Sequence, residues 1–377
     1  MISNDIPNCA YRGRVILLFL SFSPAPLHKM KGDNIPEKCR EMAGGVVEMD
    51  DKIENVIKEY PVHVTGKRRI RGAILLETKE GLFTLVNYRE SGAKLAFEER
   101  VKERLIGEGF PDVDQGIQNS QGEWLTKDNY GNPYLMKHWY LGRECNLRET
   151  EEVVAAARHL ARLHRAMILP GGGEEAGQEG AADVLSRHAR EMKRVYNYIR
   201  NKKKKNDMEI HLLNQFKHFY EQAETAGEML SELDSGEMER DAVSRGTVCH
   251  GSYNYHNVLF MEKQRIATVN FQRCEYGLQL MDFYGFLRKL MEKNNWDKRR
   301  GIRTIEAYQN ACGWETEEGK LLYILLLFPE KFWKQMNFYY NGKKAWMSMK
   351  NFDKLKKIEA QELARRKFLR EVRGVLF

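Results

Sequence analysis

The sequence predicts an α+β fold in two lobes, a small mixed lobe followed by a larger, mainly helical one. Three observations carry this. Two β-rich runs, 70–77 and 82–88, are joined by Thr78-Lys79-Glu80-Gly81, and glycine in so short a polar connection signals a hairpin. A helical pattern and further strands then run to about residue 141. From Arg148 the apolar spacing is helical almost to the end, broken by one stretch, 248–271, that reads as strand, tight loop, strand.

The elements follow in order. Ile53, Val56 and Ile57 mark one face of a short helix where order is expected to begin, near Asp51. Gly66 and Gly72 flank a basic stretch before the first run; two glycines six apart fit a plain turn better than a phosphate-covering loop. After the hairpin, Leu95, Val101 and Leu105 share a helix face that ends at Gly107 and Gly109, before Pro111. Strands are expected over 113–141, closing with Tyr134-Leu135-Met136-Lys137-His138-Trp139. In the large lobe Val153, Ala157, Leu160, Leu163 and Met167 form a stripe, with Asn146 and Glu149 offering a capping box. Residues 171–180 (GGGEEAGQEG) read as a flexible acidic connection. Helices are expected over 183–200, 207–233, 278–292, 302–311, 321–340 and 352–372. The domains are thus a disordered leader over 1–50, a small lobe over 51–135 and a helical lobe over 136–377.

Composition narrows the function. The 377 residues are 42% hydrophobic, enough for one large core or two lobes. Cys9, Cys39, Cys145, Cys249, Cys274 and Cys312 include no C-x-x-C pair, which argues against a disulfide framework or zinc site and for a reducing compartment. The net charge of +8, 61 basic against 53 acidic residues, tilts the surface potential without making a nucleic-acid binder. Four lysines at 202–205 have no interleaved aromatic residue and read as a solvated turn. The apolar runs 14–20 and 321–328 are both too short for a bilayer, which needs about 20 residues. Ser23-Pro24-Ala25-Pro26 is a poor cleavage site.

The stretch 248–271 carries the chemistry. Cys249-His250-Gly251 leads to Ser252; four residues later comes Asn257, and an apolar run over 266–269 ends at Asn270-Phe271. Protein kinases and their relatives use H-x-D-x-x-x-x-N followed by a strand ending in Asp-Phe. There the loop aspartate accepts the substrate hydroxyl proton, and the asparagine and second aspartate hold Mg²⁺. A bilobal protein-kinase-like fold is therefore expected, with the spacing kept and both carboxylates gone. Ser252 stands at the base position and Asn270 at the metal position. Serine is not ionised near neutral pH, and losing general-base help costs ~10²–10⁴ in rate. Asn257 still offers an amide oxygen, but Mg²⁺ is usually held by at least one carboxylate. The phosphate-neutralising cation fails too. Val86 occupies the inward position of the 82–88 strand, no lysine lies between Lys79 and Lys94, and Glu103 on the next helix is left as a solvent-facing charge. Met136 and His138, on the strand closing the small lobe, complete the candidate cofactor-binding set.

Other chemistries fit less well. Ser252 lacks the second glycine of a Gly-x-Ser-x-Gly elbow, since Asn254 stands there. Cys249, His250 and His256 match no zinc spacing. His250 reads as a residue that holds its own loop through backbone hydrogen bonds. Asp282 lies on the helix after Asn270, where a kinase-like aspartate accepts N–H bonds from the loop.

HGSYNYHNVLF, VNF, YLGRECNLRETEEV with its following LARLH, FLRKLMEKNNWD and FPEKFWKQMNFYYNGKKAW together resemble the CotS-type spore coat proteins of the aminoglycoside phosphotransferase and choline-kinase-like superfamily, over roughly residues 50–375. The resemblance implies a protein made in the mother-cell cytoplasm of a sporulating bacterium and then deposited in the spore coat, with other coat proteins as partners. It carries His250, Asn257 and Asp282 over by position, while Ser252, Asn270 and Val86 depart. The expected function is that of a non-catalytic coat component needing no cofactor; ATP and Mg²⁺ belong to the alternative, an active phosphotransferase. Trp333, Tyr339, Tyr340 and Trp346, with basic residues over 354–357 and 365–373, form a candidate docking surface.

Overall fold

The structure, a computed structural model, describes residues 53–170, 180–342 and 349–377. The leader over 1–50, residues 171–179 of the acidic connection, and Trp346 lie outside the described residues.

The small lobe is an antiparallel sheet between two helices. Its strands are β1 (Val64–Ile70), β2 (Ala73–Thr78), β3 (Gly81–Asn87), β4 (Gly116–Ile117), β5 (Leu125–Lys127) and β6 (Pro133–His138), in the order β1-β2-β3-β6-β4 with β5 also on β6. Period-2 alternation divides the sheet's side chains between two cores. Phe83, Leu85, Leu76 and Met136 pack under α1 (residues 53–58) against Ile53, Val56 and Ile57. Val86 and Leu135, cross-strand partners, face the other way and meet Leu95 of α2 (Gly92–Gly107). Ser91 caps α2, its side chain accepting from Lys94 N–H. The basic stretch beside Gly66 is strand β1, and Arg71-Gly72 is the two-residue turn between the paired Ile70 and Ala73.

From His138 the chain crosses into the large lobe. Here β7 (Arg143–Glu144) joins β9 (Val258–Phe260) and β10 (Ile266–Thr268), and β8 (Val248–Cys249) pairs with β11 (Glu275–Tyr276). Helices α3 (Thr150–Ala166), α4 (Ala181–Arg200), α5 (Asp207–Ser231), α6 (Ser235–Ser244), α7 (Leu280–Lys293), α8 (Lys298–Cys312), α9 (Thr316–Leu327), α10 (Glu330–Asn341) and α11 (Met349–Leu376) supply the remaining core. The helix expected over 321–340 is two helices. Pro329 lacks the N–H that would continue the α9 ladder and stands as the N-cap of α10. The N-cap of α3 is Glu149 with no side-chain bond; Asn146 accepts instead from Arg148 N–H, so the expected capping box does not form. The lysines at 202–205 do lie in the turn between α4 and α5, where Asn206 and Glu209 make a reciprocal box.

The aromatic residues of the candidate docking surface are largely interior. Tyr339 and Trp333 are buried, and the Trp333 indole stacks on His188 at 3.4 Å and donates to Glu191. Arg365 is buried as well, donating to the carbonyls of Leu326 and Leu327. What remains outside is the basic face of α11: Lys354, Lys356, Lys357, Arg366, Lys367, Arg370 and Arg373 are exposed. Among the described residues no helix is long and apolar enough to cross a membrane.

Candidate functional site

The loop after β8 is held from below by Asp282, in the first turn of α7. Its Oδ2 accepts from His250 N–H at 2.5 Å and its Oδ1 from Gly251 N–H at 2.9 Å; His164 Nε2 lies 3.3 Å from Oδ2. Gly251 sits at φ +70°, and a Cβ there would come within 2.1 Å of the Arg273 carbonyl oxygen, so glycine is required. Burial holds the His250 imidazole below the ordinary histidine range. It is therefore neutral, and its bonds fix the tautomer: Nδ1 accepts from Ser252 N–H at 3.1 Å, and Nε2–H donates to the Val269 carbonyl at 3.2 Å. His250 thus joins the loop to the strand that leads to Asn270.

The next links are all amides and hydroxyls. Asn257 Nδ2 donates to the Ser252 carbonyl at 2.8 Å and to its Oγ at 3.2 Å. Asn270 Nδ2 donates to Asn257 Oδ1 at 2.8 Å. Asn270 is in the left-handed region, φ 69° and ψ 58°, which asparagine adopts more readily than most residues. A metal held by Asn257 and residue 270 would need both oxygens turned toward it. Here the Asn270 amide N–H occupies the Asn257 oxygen, and neither 252 nor 270 carries a carboxylate. The residues at these positions do not fit Mg²⁺.

Charge is nevertheless present behind them, in places the sequence reading did not identify. Asp114, from the connection between α2 and β4, accepts from Asn270 N–H at 2.7 Å and from Lys137 Nζ at 2.6 Å, both on Oδ2. Lys137 of β6 is the cross-strand neighbour of Thr84, on the same sheet face as Val86. Lys102 of α2 donates to Glu98 at 2.6 Å, to Glu99 at 2.9 Å and to the Asp114 carbonyl at 2.9 Å. Glu98, Lys102, Asp114 and Lys137 are wholly buried and Glu99 nearly so. Burial alone would lower the Lys102 pKa, but Asp114, Glu98 and Glu99 raise it above the ordinary lysine value. Burial would raise Asp114; Lys137 and Lys102 overcome this and hold it ionised. Glu99 is shifted upward by burial, only partly offset by Lys102. Tyr88 completes the cluster, donating to Glu98 at 3.2 Å.

The structure therefore brings His250, Ser252, Asn257, Asn270 and Asp282 together. It leaves Glu103 exposed on the outer face of α2, while Glu98 and Glu99, one turn earlier, point inward. Met136 and His138 lie on the α1 side of the sheet, His138 against Phe83 at 5.0 Å, and Lys137 between them faces the loop. Val86 is buried beside Leu95 and Leu135, on the cluster's side of the sheet but with no polar atom to offer. Replacing Ser252 by alanine should change stability by no more than about 0.5 kcal/mol, because Asn257 keeps its bond to the Ser252 carbonyl; urea unfolding checks this.

Both lobes contribute to this site and are tied across it. Val113 bridges to Thr268, Arg265 Nε donates to Asp112 at 2.9 Å, and Lys94 donates to the Cys274 carbonyl. Arg71 at the β1–β2 turn adds a further contact, 3.7 Å from Glu144, itself bonded to His256 of the loop at 2.5 Å.

Comparison with known proteins places this arrangement. The family model described as "Spore coat putative kinase YutH" matches residues 53–372. The chain belongs to this YutH family of spore coat proteins. No protein of curated function matches it in sequence. Among solved structures, an aminoglycoside phosphotransferase from Alicyclobacillus acidocaldarius is similar with a TM-score of 0.78 at 16% identity, over 86% of this chain and 96% of that one. A spectinomycin phosphotransferase in complex with ADP and spectinomycin gives 0.60 at 11% identity, over 84% and 97%. An aminopropanol kinase associated with a microcompartment gives 0.53 at 11%, over 86% and 99%. At these identities the likeness establishes the fold. This YutH-family chain has an aminoglycoside phosphotransferase-like architecture, with an antiparallel small lobe and a helical large lobe.

Proposed function

We propose that the chain serves the spore coat as a non-catalytic component, its kinase-like fold acting through protein–protein contacts after synthesis in the mother-cell cytoplasm. The observation that carries this is the bond from Asn270 Nδ2 to Asn257 Oδ1. An amide donor stands where an active relative needs a charged metal ligand, and Ser252 supplies no base. The exposed basic face of α11 is the surface this reading assigns to other coat proteins.

One observation favours the alternative, an ATP-dependent phosphotransferase with atypical residues: Asp114 and Lys137 place a carboxylate and an ammonium directly behind Asn270. Both groups are wholly buried and bonded to each other, which supports the non-catalytic reading over it. Isothermal titration with Mg·ATP, together with a phosphate-release assay, separates the two. No saturable heat and no phosphate is the expected result. Saturable, metal-dependent binding accompanied by phosphate release would overturn the proposal.

A further inference from the structure

Two exposed stripes of opposite charge lie on the large lobe, one on α5 and one on α11. On α5, Glu224, Glu228 and Glu232 follow one another at i, i+4 and i+8, all exposed. They lie opposite the buried face of Phe219, Ala223, Ala226 and Leu230 and span about 12 Å of helix. On α11, Arg366, Arg370 and Arg373 repeat at i, i+4 and i+7 over about 10 Å, also exposed. None of these side chains forms an ion pair with a described residue.

Neither stripe serves its own helix. Like charges at i, i+4 repel. A helix C-terminus disfavours anions, yet Glu228 lies in the last turn of α5, Glu232 is its C-cap, and no basic residue stands in that turn. On α11 the dipole favours Arg373, but its effect does not reach back to Arg366 and Arg370. The glutamates beside them are engaged elsewhere, Glu371 by Lys298 at 2.7 Å and Glu359 by Gln215 of α5 at 2.7 Å. Nor do the stripes meet within one molecule. Gln215 and Gln222 are the α5 side chains that reach α11, and Glu224 is about 200° around the helix from Gln222.

We infer that the basic stripe of α11 docks on the acidic stripe of α5 in a second copy of this chain. The spacings match: charges recur at rises of about 6 and 12 Å on α5 and about 6 and 10 Å on α11, so one helix–helix contact pairs them in register. Leu363, 65% exposed and one turn before Lys367, supplies an apolar contact beside the charges. The net charge of +8 opposes the approach of two copies, but at physiological ionic strength screening limits that repulsion to about 8 Å, while touching pairs keep their attraction. Because the two docked patches differ, the contact gives a ring or an open chain and not a two-fold dimer. The inference deepens the reading in which α11 meets coat proteins, and rests on it only for the choice of surface.

Sedimentation velocity of the full-length protein over a range of concentrations tests this. Wild type should exceed the monomer mass in about 20 mM NaCl, and its association constant should fall at least about tenfold in about 500 mM. Glu224→Lys/Glu228→Lys/Glu232→Lys and Arg366→Glu/Arg370→Glu/Arg373→Glu should each be monomeric, with unchanged circular dichroism. Mixed in equal amounts they should associate again, because α5 of the first then fits α11 of the second. Wild type that stays monomeric in low salt overturns the inference, and DNA binding by such a monomer would assign the basic stripe to nucleic acid instead. Folded variants that associate as wild type does, or a mixture of them that does not, overturn it equally. Should a variant misfold, the salt and concentration dependence of the wild type decides alone. Phosphate release from ATP, followed in parallel on wild type, keeps the two ideas apart. Turnover by an associating protein would end the non-catalytic reading and leave this contact standing, whereas a monomer without turnover would do the reverse.

Discussion

Replacing Asp282 by alanine is expected to lower the unfolding free energy by about 3–5 kcal/mol. The carboxylate is the acceptor for the N–H groups of His250 and Gly251 and lies against His164, with a side chain only 4% exposed. Removing it leaves the buried His250 N–H and the half-buried Gly251 N–H with no partner, and an unsatisfied buried donor costs about 1–3 kcal/mol. Water cannot readily replace it, since His250 is wholly buried. Denaturant unfolding monitored by tryptophan fluorescence measures the loss. An Asp282→Asn variant should fall between, because its single carbonyl oxygen can satisfy only part of what two carboxylate oxygens do. A loss below about 1 kcal/mol for the alanine variant would mean that the loop is held by something other than this residue. The contrast with Ser252→Ala, two residues from His250 along the chain and expected to be near neutral, separates what the loop needs for folding from what a kinase would need for chemistry.

That contrast also marks what could be read in the chain. The spacing from His250 to Asn257 and on to Asn270 is local in sequence and survives in a linear reading. So do the apolar stripe of α3 and the hairpin around Gly81, because each depends on a period within one element. The buried charges escaped for the opposite reason. Glu98, Lys102, Asp114 and Lys137 come from three separate segments, and a lysine or glutamate in isolation is read as solvated, as such residues usually are. Two signals were present nonetheless. On α2, Glu98 and Lys102 fall at i+3 and i+7 from Leu95, inside the stripe that continues to Leu105, whereas Glu103 lies off it. On β6, alternation puts Lys137 on the same face as Leu135, so an inward Leu135 obliges an inward lysine. No such signal existed for Asp114, whose place depends on the parallel bridge between Val113 and Thr268, more than 150 residues apart in the chain. Taken alone, residues 86, 252 and 270 imply that the charge is missing. The structure keeps those positions neutral and puts the charge behind them, already paired.

The second large effect is expected at Lys102. Lys102→Met keeps most of the side-chain volume but removes the ammonium that Glu98, Glu99 and Asp114 share, and breaking a buried ionic network from one side costs about 3–5 kcal/mol at neutral pH. The pH dependence identifies the cause. In the wild type the Asp114 pKa is depressed in the folded state, so its contribution is present above the unfolded carboxylate value of about 3.9 and is lost as pH falls. The Lys102 pKa is raised, so its contribution is present below the unfolded lysine value of about 10.4 and is lost as pH rises through the folded value. Near pH 7 both contributions are complete, and the substitution should cost most there. In the variant Glu99 loses its ammonium and Asp114 keeps only Lys137, so the folded pKa values of both rise, and protonation on acidification relieves the burial of charge. The difference between wild type and variant should therefore shrink steadily from pH 7 toward pH 4, as measured by urea unfolding at each pH. A penalty that stays constant over that range would assign the effect to packing, because the loss of methylene contacts does not titrate.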